Sequence, residues 1–169
     1  MLDAKTIIKE LELVPLPGEG GFYKETFSST IMIPKETLGS TYPAARAISS
    51  AIYYLITLES YSTMHRLRGT EIFHLYLGGP VETTLLYKDG TGEIITIGCD
   101  IENGMRPQII IPEGTWQGSE LAEGSDFDFA LLGTTMAPGF SIDDFELGKK
   151  SELKKKFPDF SEEITRLTR

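Results

Sequence analysis

At 169 residues, with 40% apolar and 24% charged side chains, the chain has the size and composition of one soluble domain that buries a full core without staples. Its net charge of −9, from 16 Lys and Arg against 25 Asp and Glu, repels phosphate backbones and argues against nucleic acid as a partner. Cys99 is the single cysteine, which excludes an internal disulfide and a cysteine-rich zinc centre.

No apolar run approaches the length of a bilayer span, and the first residues, MLDAKTIIKELEL, mix charge throughout and lack a signal peptide's apolar centre. A cytoplasmic protein with no membrane partner is therefore expected. Asp3 caps a helix reaching about Leu13, with Ile7, Ile8 and Leu11 on one face. Pro15 and Pro17 end it, and the GEGG stretch at residues 18–21 is a turn. In GFYKETFSS, Phe22, Lys24, Thr26 and Ser28 alternate with Tyr23, Glu25, Phe27 and Ser29, as in a strand. Residues 33–43 hold two prolines and Gly39 and read as a loop.

Residues 47–58 are rich in Ile, Tyr and Thr and predict a buried strand. Strands over 61–67 and 71–77 follow, separated by Arg68-Gly69-Thr70. Residues 81–87 and 93–97 flank the hairpin signal Lys88-Asp89-Gly90-Thr91-Gly92. Further strands are expected over 108–111, 115–121 and 127–136, with a turn at Pro112-Glu113-Gly114. Beyond Pro138-Gly139 the pattern turns helical: a short turn at Asp143 or Asp144, a helix capped by Ser151 and ending near Phe157, and a last helix from Ser161. The basic run KKSELKKK at 149–156 reads as a solvated helix face, because Leu153 and Phe157 are spaced i, i+4 within it. Many short strands with regular turn signals predict an all-β closed barrel or sandwich, with terminal helices over an edge or an open end.

The residues able to bind a metal or move a proton near neutral pH gather in MHRLRGTEIFHLYLGG, residues 64–79, which holds both histidines. Side chains alternate across a strand, so Glu71, Phe73, Leu75 and Leu77 share one face and Ile72, His74 and Tyr76 the other. On the preceding strand His65 and Leu67 share a face, with Arg66 opposite. Parity thus separates His74 from Glu71 and places it outside the cavity. Cys99 has no histidine near it in sequence and reads as structural.

Two motifs within this frame resemble those of the cupin superfamily of small β-barrels. The first has His, one residue, His, three or four residues, Glu, six residues and Gly; here His65, Leu67, Glu71 and Gly78 keep the spacing. The second, Pro-x-Gly, two residues, His, reads Pro112-Glu113-Gly114-Thr115-Trp116-Gln117. The wider chain is similar to the fifth of the numbered cupin families, whose members are largely without assigned activity. That similarity rests on residues 21–26, 51–57, 112–117, Ala137-Pro138-Gly139-Phe140 and Asp144-Phe145-Glu146-Leu147. It implies a cupin double-stranded β-helix, a jelly-roll barrel with short N- and C-terminal helices, spanning the whole chain as a single domain.

In metal-binding cupins two histidines and the glutamate of the first motif and the histidine of the second hold a divalent metal. Transferred by position, the set becomes His65, Leu67, Glu71 and Gln117, so His65, Glu71 and Gln117 are the implied ligands of a metal such as Mn, Fe, Zn or Ni. With two imidazoles replaced, the remaining donors are harder and disfavour zinc, copper and nickel relative to manganese or magnesium. Without metal, His65 and Glu71 form a candidate catalytic acid/base pair; a buried hydrogen bond with no chemistry is the plain alternative. Gln117, Trp116 and Phe73 are the expected contacts to a small polar ligand, although Trp116 reads equally as a core or interface tryptophan. The segment 21–27 also resembles one strand of sugar-nucleotide epimerases that work without metal. An isomerase-like or metal-dependent enzyme is therefore implied, beside a non-catalytic binding or structural cupin. Cupins of this kind commonly pair as homodimers through a barrel edge, and Tyr53, Tyr54, His74 and Tyr76 are candidates for that contact.

Overall fold

The computed structural model describes residues 2–169. Helix α1, Ala4–Glu10, is followed by strands β1 Val14–Pro15, β2 Phe22–Ser28 and β3 Met32–Ile33. Helix α2, Lys35–Leu38, precedes β4 Arg46–Ala47, β5 Ser50–Thr57, β6 Ser62–Leu67 and β7 Glu71–Gly78. Then come β8 Val81–Leu86, β9 Gly92–Ile97, β10 Gln108–Ile111, β11 Trp116–Leu121 and β12 Phe129–Met136. A 3-10 turn, Ile142–Asp144, leads into β13 Phe145–Leu147 and the helices α3 Lys150–Lys156 and α4 Ser161–Arg166.

The main strands form two antiparallel sheets, ordered β1-β2-β5-β12-β7-β10 and β13-β6-β11-β8-β9. The fold is the expected jelly roll, with the barrel flattened into two facing sheets rather than closed by a continuous ladder. Between them lies the main core, where Tyr54, Ile56, Phe73, Val81, Leu85, Ile97, Ile109, Ile111 and Leu132 pack together. Each such side chain contributes roughly 1.5–3 kcal/mol by leaving water. Terminal helices cover the outer faces. Ala4 and Ile7 of α1 pack with Leu55, Phe129 and Leu131 behind the six-stranded sheet. Leu153, Phe157, Ile164 and Leu167 pack on Met64 and Leu86 behind the five-stranded one. This explains why β5 and β6 are buried on both faces, and why β5 reads as a near-continuous apolar run although β6 does not.

Local chemistry accounts for most boundaries. The Asp3 carboxylate accepts from the Thr6 N–H at 2.8 Å and caps α1 as expected. Four differences stand out. The segment 33–43 is not wholly irregular, since it carries α2. Helix α3 starts one residue before Ser151, with Lys149 at the cap position and no side-chain capping bond. Strand β13 was not expected, because three residues show no period; it forms because Phe145, Glu146 and Leu147 pair with Leu67, Arg66 and His65. Leu77 leaves the face of Glu71: the β12–β7 register shifts between Leu131 and Leu132, and the bulge at Tyr76 turns both Tyr76 and Leu77 outward. Cys99 lies exposed in the turn after β9, outside the core. Among the described residues no helix is long and apolar enough to cross a membrane.

Candidate functional site

A cavity of about 100 Å³ opens between the sheets. Its apolar wall includes Leu16, Ile52, Met136 and five aromatic rings, Tyr23, Tyr54, Phe73, Phe140 and Phe145. Glu19, Glu25 and Glu71 are its acidic residues, and no lysine or arginine lines it among the described residues. Phe140 and Ile142, which stay largely exposed, mark the rim.

Glu71 begins β7, and its inward parity carries it to the cavity wall together with Phe73, as the sequence predicts. It is buried and accepts from Gln117 Nε2 at 2.8 Å. Burial first, and the nearby Glu19 carboxylate second, push the Glu71 carboxyl above its ordinary value; His65 and the hydrogen bonds from Gln117 and Thr134 act in the opposite sense. Gln117 lies opposite His65 in the β11–β6 ladder, so strand pairing brings the two motifs together across the sequence. The Gln117 Oε1 atom and the Thr63 Oγ1 atom are buried without a protein hydrogen-bond partner.

His65 is deeply buried and does not line the cavity; its ring stacks on Phe145, with centroids 5.1 Å apart. His65 Nδ1 lies 2.8 Å from the Thr63 carbonyl oxygen. A carbonyl can only accept, so Nδ1 carries the proton and Nε2 is left to face Glu19, whose Oε2 lies 3.8 Å away. Glu19 is the site residue that sequence reasoning missed. Its turn is drawn onto β6 by the bond from the Thr63 N–H to the Glu19 carbonyl, 2.8 Å. Its Oε1 accepts from the Ser62 hydroxyl at 2.9 Å. The Tyr54 hydroxyl donates to the Gly20 carbonyl at 3.0 Å, and burial followed by the Glu19 charge pushes the phenol well up, keeping it a donor. The available signal was an acid set inside Pro-Gly-Glu-Gly-Gly, where the glycines permit close approach to a neighbouring strand.

Trp116 is on the opposite face of β11 from Gln117 and does not line the cavity. It packs with the Met64 and Leu86 cluster under the C-terminal helices, and the Arg66 guanidinium sits 4.5 Å from its ring centre. Strand alternation places adjacent residues on opposite faces, so Trp116 and Gln117 do not both point inward. His74 is also outside, as expected from parity. It contacts Gln108 and Thr135 and stacks on Tyr76 on the outer side of the six-stranded sheet.

The implied metal set does not close around an ion. Among the described residues no three His, Cys, Asp or Glu side chains converge at metal-binding spacing. Gln117 presents its amide nitrogen, not its oxygen, to Glu71, and Leu67 supplies no donor. These residues do not fit a resident divalent metal.

Residues 5–148 match the family model described as Cupin superfamily (DUF985). An uncharacterized protein of Saccharomyces cerevisiae is 32% identical over 143 residues, covering 80% of this chain and 71% of that protein. A hypothetical protein from Leishmania major superposes with a TM-score of 0.88 at 28% identity over 99% of both chains. A Shewanella oneidensis protein does so at 0.85 and 30% identity, over 100% of this chain and 99% of that one. Bacillus subtilis oxalate decarboxylase, which has Mn(II) centres, reaches a TM-score of only 0.52 at 14% identity, over 93% of this chain and 38% of its own, and shares the fold alone. The family match over most of the length, the fold and the paired motif positions agree: the chain belongs to the cupin superfamily, in the family designated DUF985.

Proposed function

We propose that the cavity between the sheets binds a small molecule and that Glu71 exchanges a proton with it in isomerase-like acid/base chemistry. The observation that carries this reading is the placement of Glu71: a buried carboxyl on the wall of an aromatic cavity, oriented by Gln117 and biased toward its protonated form by burial and by Glu19. A carboxyl whose ionisation is made unfavourable changes protonation state closer to neutral pH, where it serves as both acid and base. Gln117 then acts as a positioning residue. His65 is a positioning residue too, since it meets the cavity through Glu19 and Phe145 rather than directly.

Small molecules that raise the melting temperature identify binders, since a ligand at a hundred times its Kd adds about 2.7 kcal/mol. Binders are then incubated with the protein in deuterated water. Incorporation of solvent deuterium with the native chain, and its loss in Glu71→Gln at ligand concentrations that saturate the variant, is the expected result. Binding with no exchange in any ligand defeats the catalytic part. That outcome would favour a metabolite-binding module, a reading supported by the withdrawal of His65 behind Phe145.

A further inference from the structure

The charge and aromatic content of the cavity narrow its occupant. Glu19, Glu25 and Glu71 all contribute to the lining, and no lysine or arginine lines it among the described residues. An anionic ligand, such as a carboxylate or a phosphorylated sugar, would find like charge and no cationic partner in the wall. The charged groups of the lining are all carboxylates, which accept. Glu19 Oε2 lies 3.8 Å from His65 Nε2. Behind the wall, outside the lining itself, Gln117 (1% exposed) leaves its Oε1 without a protein partner, and the Thr63 hydroxyl is likewise unpartnered. Unpaired buried acceptors call for donors. Around them stand the rings of Tyr23, Tyr54, Phe73, Phe140 and Phe145, whose faces attract cations.

From this we infer that the cavity selects a small organic cation, an ammonium group on a short apolar or aromatic skeleton, with the charge held between Glu19 and Glu71. The inference rests on the reading of the cavity as a small-molecule site and adds the chemical class of its ligand. An ammonium carries up to three donors and one positive charge, which matches the two carboxylates of Glu19 and Glu71 on the wall. Its arrival also relieves the repulsion between Glu19 and Glu71, the second cause that raises the Glu71 carboxyl. The skeleton must be short, because the space is about 100 Å³. Glu19 acquires a role the two motifs do not give it: it is the loop-borne half of a cation clamp whose strand-borne half is Glu71.

The test compares matched probes that differ only in the polar group: benzylamine, benzyl alcohol and benzoate, and butylamine, butanol and butyrate. Affinities are measured by titration calorimetry with the full chain at pH 7. The expected result is that each amine binds at least about tenfold more tightly than its alcohol, a difference of about 1.4 kcal/mol, and that neither acid binds. Glu19→Gln and Glu71→Gln, both of near-native shape, should each weaken the amines about tenfold while leaving the alcohols unchanged; their thermal melts show whether the fold is retained. Equal binding of amine and alcohol, or tighter binding of an acid, overturns the cation assignment and leaves the cavity a small-molecule site. Stoichiometric Mn(II) binding that excludes the amines and is lost in Glu71→Gln also overturns it, by giving the acceptors to a metal. Failure of all six probes to bind overturns both readings for ligands of this size.

Discussion

Two buried acids lie close to the same cavity and are treated in opposite ways. Asp144, in the turn that follows Ile142 on the rim, receives Arg46 Nε at 2.7 Å and Arg46 Nη2 at 2.8 Å, and Arg68 approaches to 3.3 Å. Arg46 completes its own bonding through the carbonyls of Ala44 and Ala45, with the Tyr42 ring beside it. Glu71 has neutral donors, Gln117 and Thr134, and a like-charged neighbour instead of a guanidinium. A buried charge matched by a two-pronged guanidinium is part of the scaffold and pins the segment carrying Phe140, Ile142 and Phe145. A buried carboxyl left facing another carboxylate gains nothing for the fold from its charge. The contrast separates an acid that holds the structure from one that serves the cavity.

The largest effect should come from breaking the satisfied pair. Arg46→Ala leaves Asp144 buried without its principal partner and should destabilise the chain by about 3–5 kcal/mol in chemical denaturation. Removing both partners, Arg46→Ala with Asp144→Ala, should be less damaging than the sum of the two single changes, because no uncompensated charge then remains. Additive losses would show that the pair is not the unit that pins the rim.

A somewhat smaller effect belongs to the loop that delivers Glu19. Gly20 has φ +106°, and a Cβ there would come within 2.4 Å of the Tyr61 carbonyl oxygen. Gly20→Ala should therefore cost about 1–3 kcal/mol from backbone strain and move Glu19 away from His65. The measurement is denaturation combined with the histidine ring shifts in NMR. An unchanged His65 signal in a destabilised protein would mean that the loop does not position Glu19.

That loop also shows where the sequence stops being readable. Strand parity placed Glu71 and Phe73 on the cavity wall and His74 outside it, because alternation is a local rule that survives folding. The two-motif spacing predicted the meeting of Glu71 with Gln117: the β11–β6 ladder sets Gln117 beside His65, and its side chain reaches Glu71 on β7 of the facing sheet. Glu19 was invisible for the opposite reason. Its place depends on a turn folding back onto β6, a contact with no period and no motif. Leu77 and β13 escaped in the same way: a one-residue bulge inverts parity, and a three-residue strand exists only through its partner. Cys99, read as structural, is exposed because it falls just past the end of β9, where no neighbouring strand covers it.

The acid without a guanidinium partner should reveal itself through pH. Burial and Glu19 raise the Glu71 carboxyl above its ordinary value of 4.5, so the folded state holds this proton more tightly than the unfolded chain does. That contribution is fully present below pH 4.5 and is lost as pH rises through the raised folded value. Glu71→Gln cannot ionise and escapes the loss. Its melting temperature relative to the native chain should rise as pH increases above 4.5, then level off once pH has passed the raised folded value. A difference independent of pH would show that Glu71 ionises in the fold as freely as in water. The equivalent neutral substitution at the rim, Asp144→Asn, should instead destabilise at neutral pH, which is the direct inverse of the comparison.

The smallest effect concerns a charge that is neither scaffold nor site. Arg66 donates to Glu146 from Nε at 2.9 Å and from Nη2 at 2.7 Å, and covers the Trp116 ring from outside. Both partners of this ion pair are substantially exposed, with side chains 40% and 56% accessible, so solvent and salt screen it. Arg66→Ala should cost only about 0.2–1 kcal/mol, although it uncovers the indole. Trp116 is the only tryptophan in the chain, and its emission therefore reports on the outer wall alone. The substitution should shift that emission, whereas a ligand that fills the cavity should leave it nearly unchanged, because Trp116 points away from Gln117 across β11. Strong quenching by a cavity ligand would return Trp116 to the binding wall where its place beside Gln117 in the sequence first suggested it.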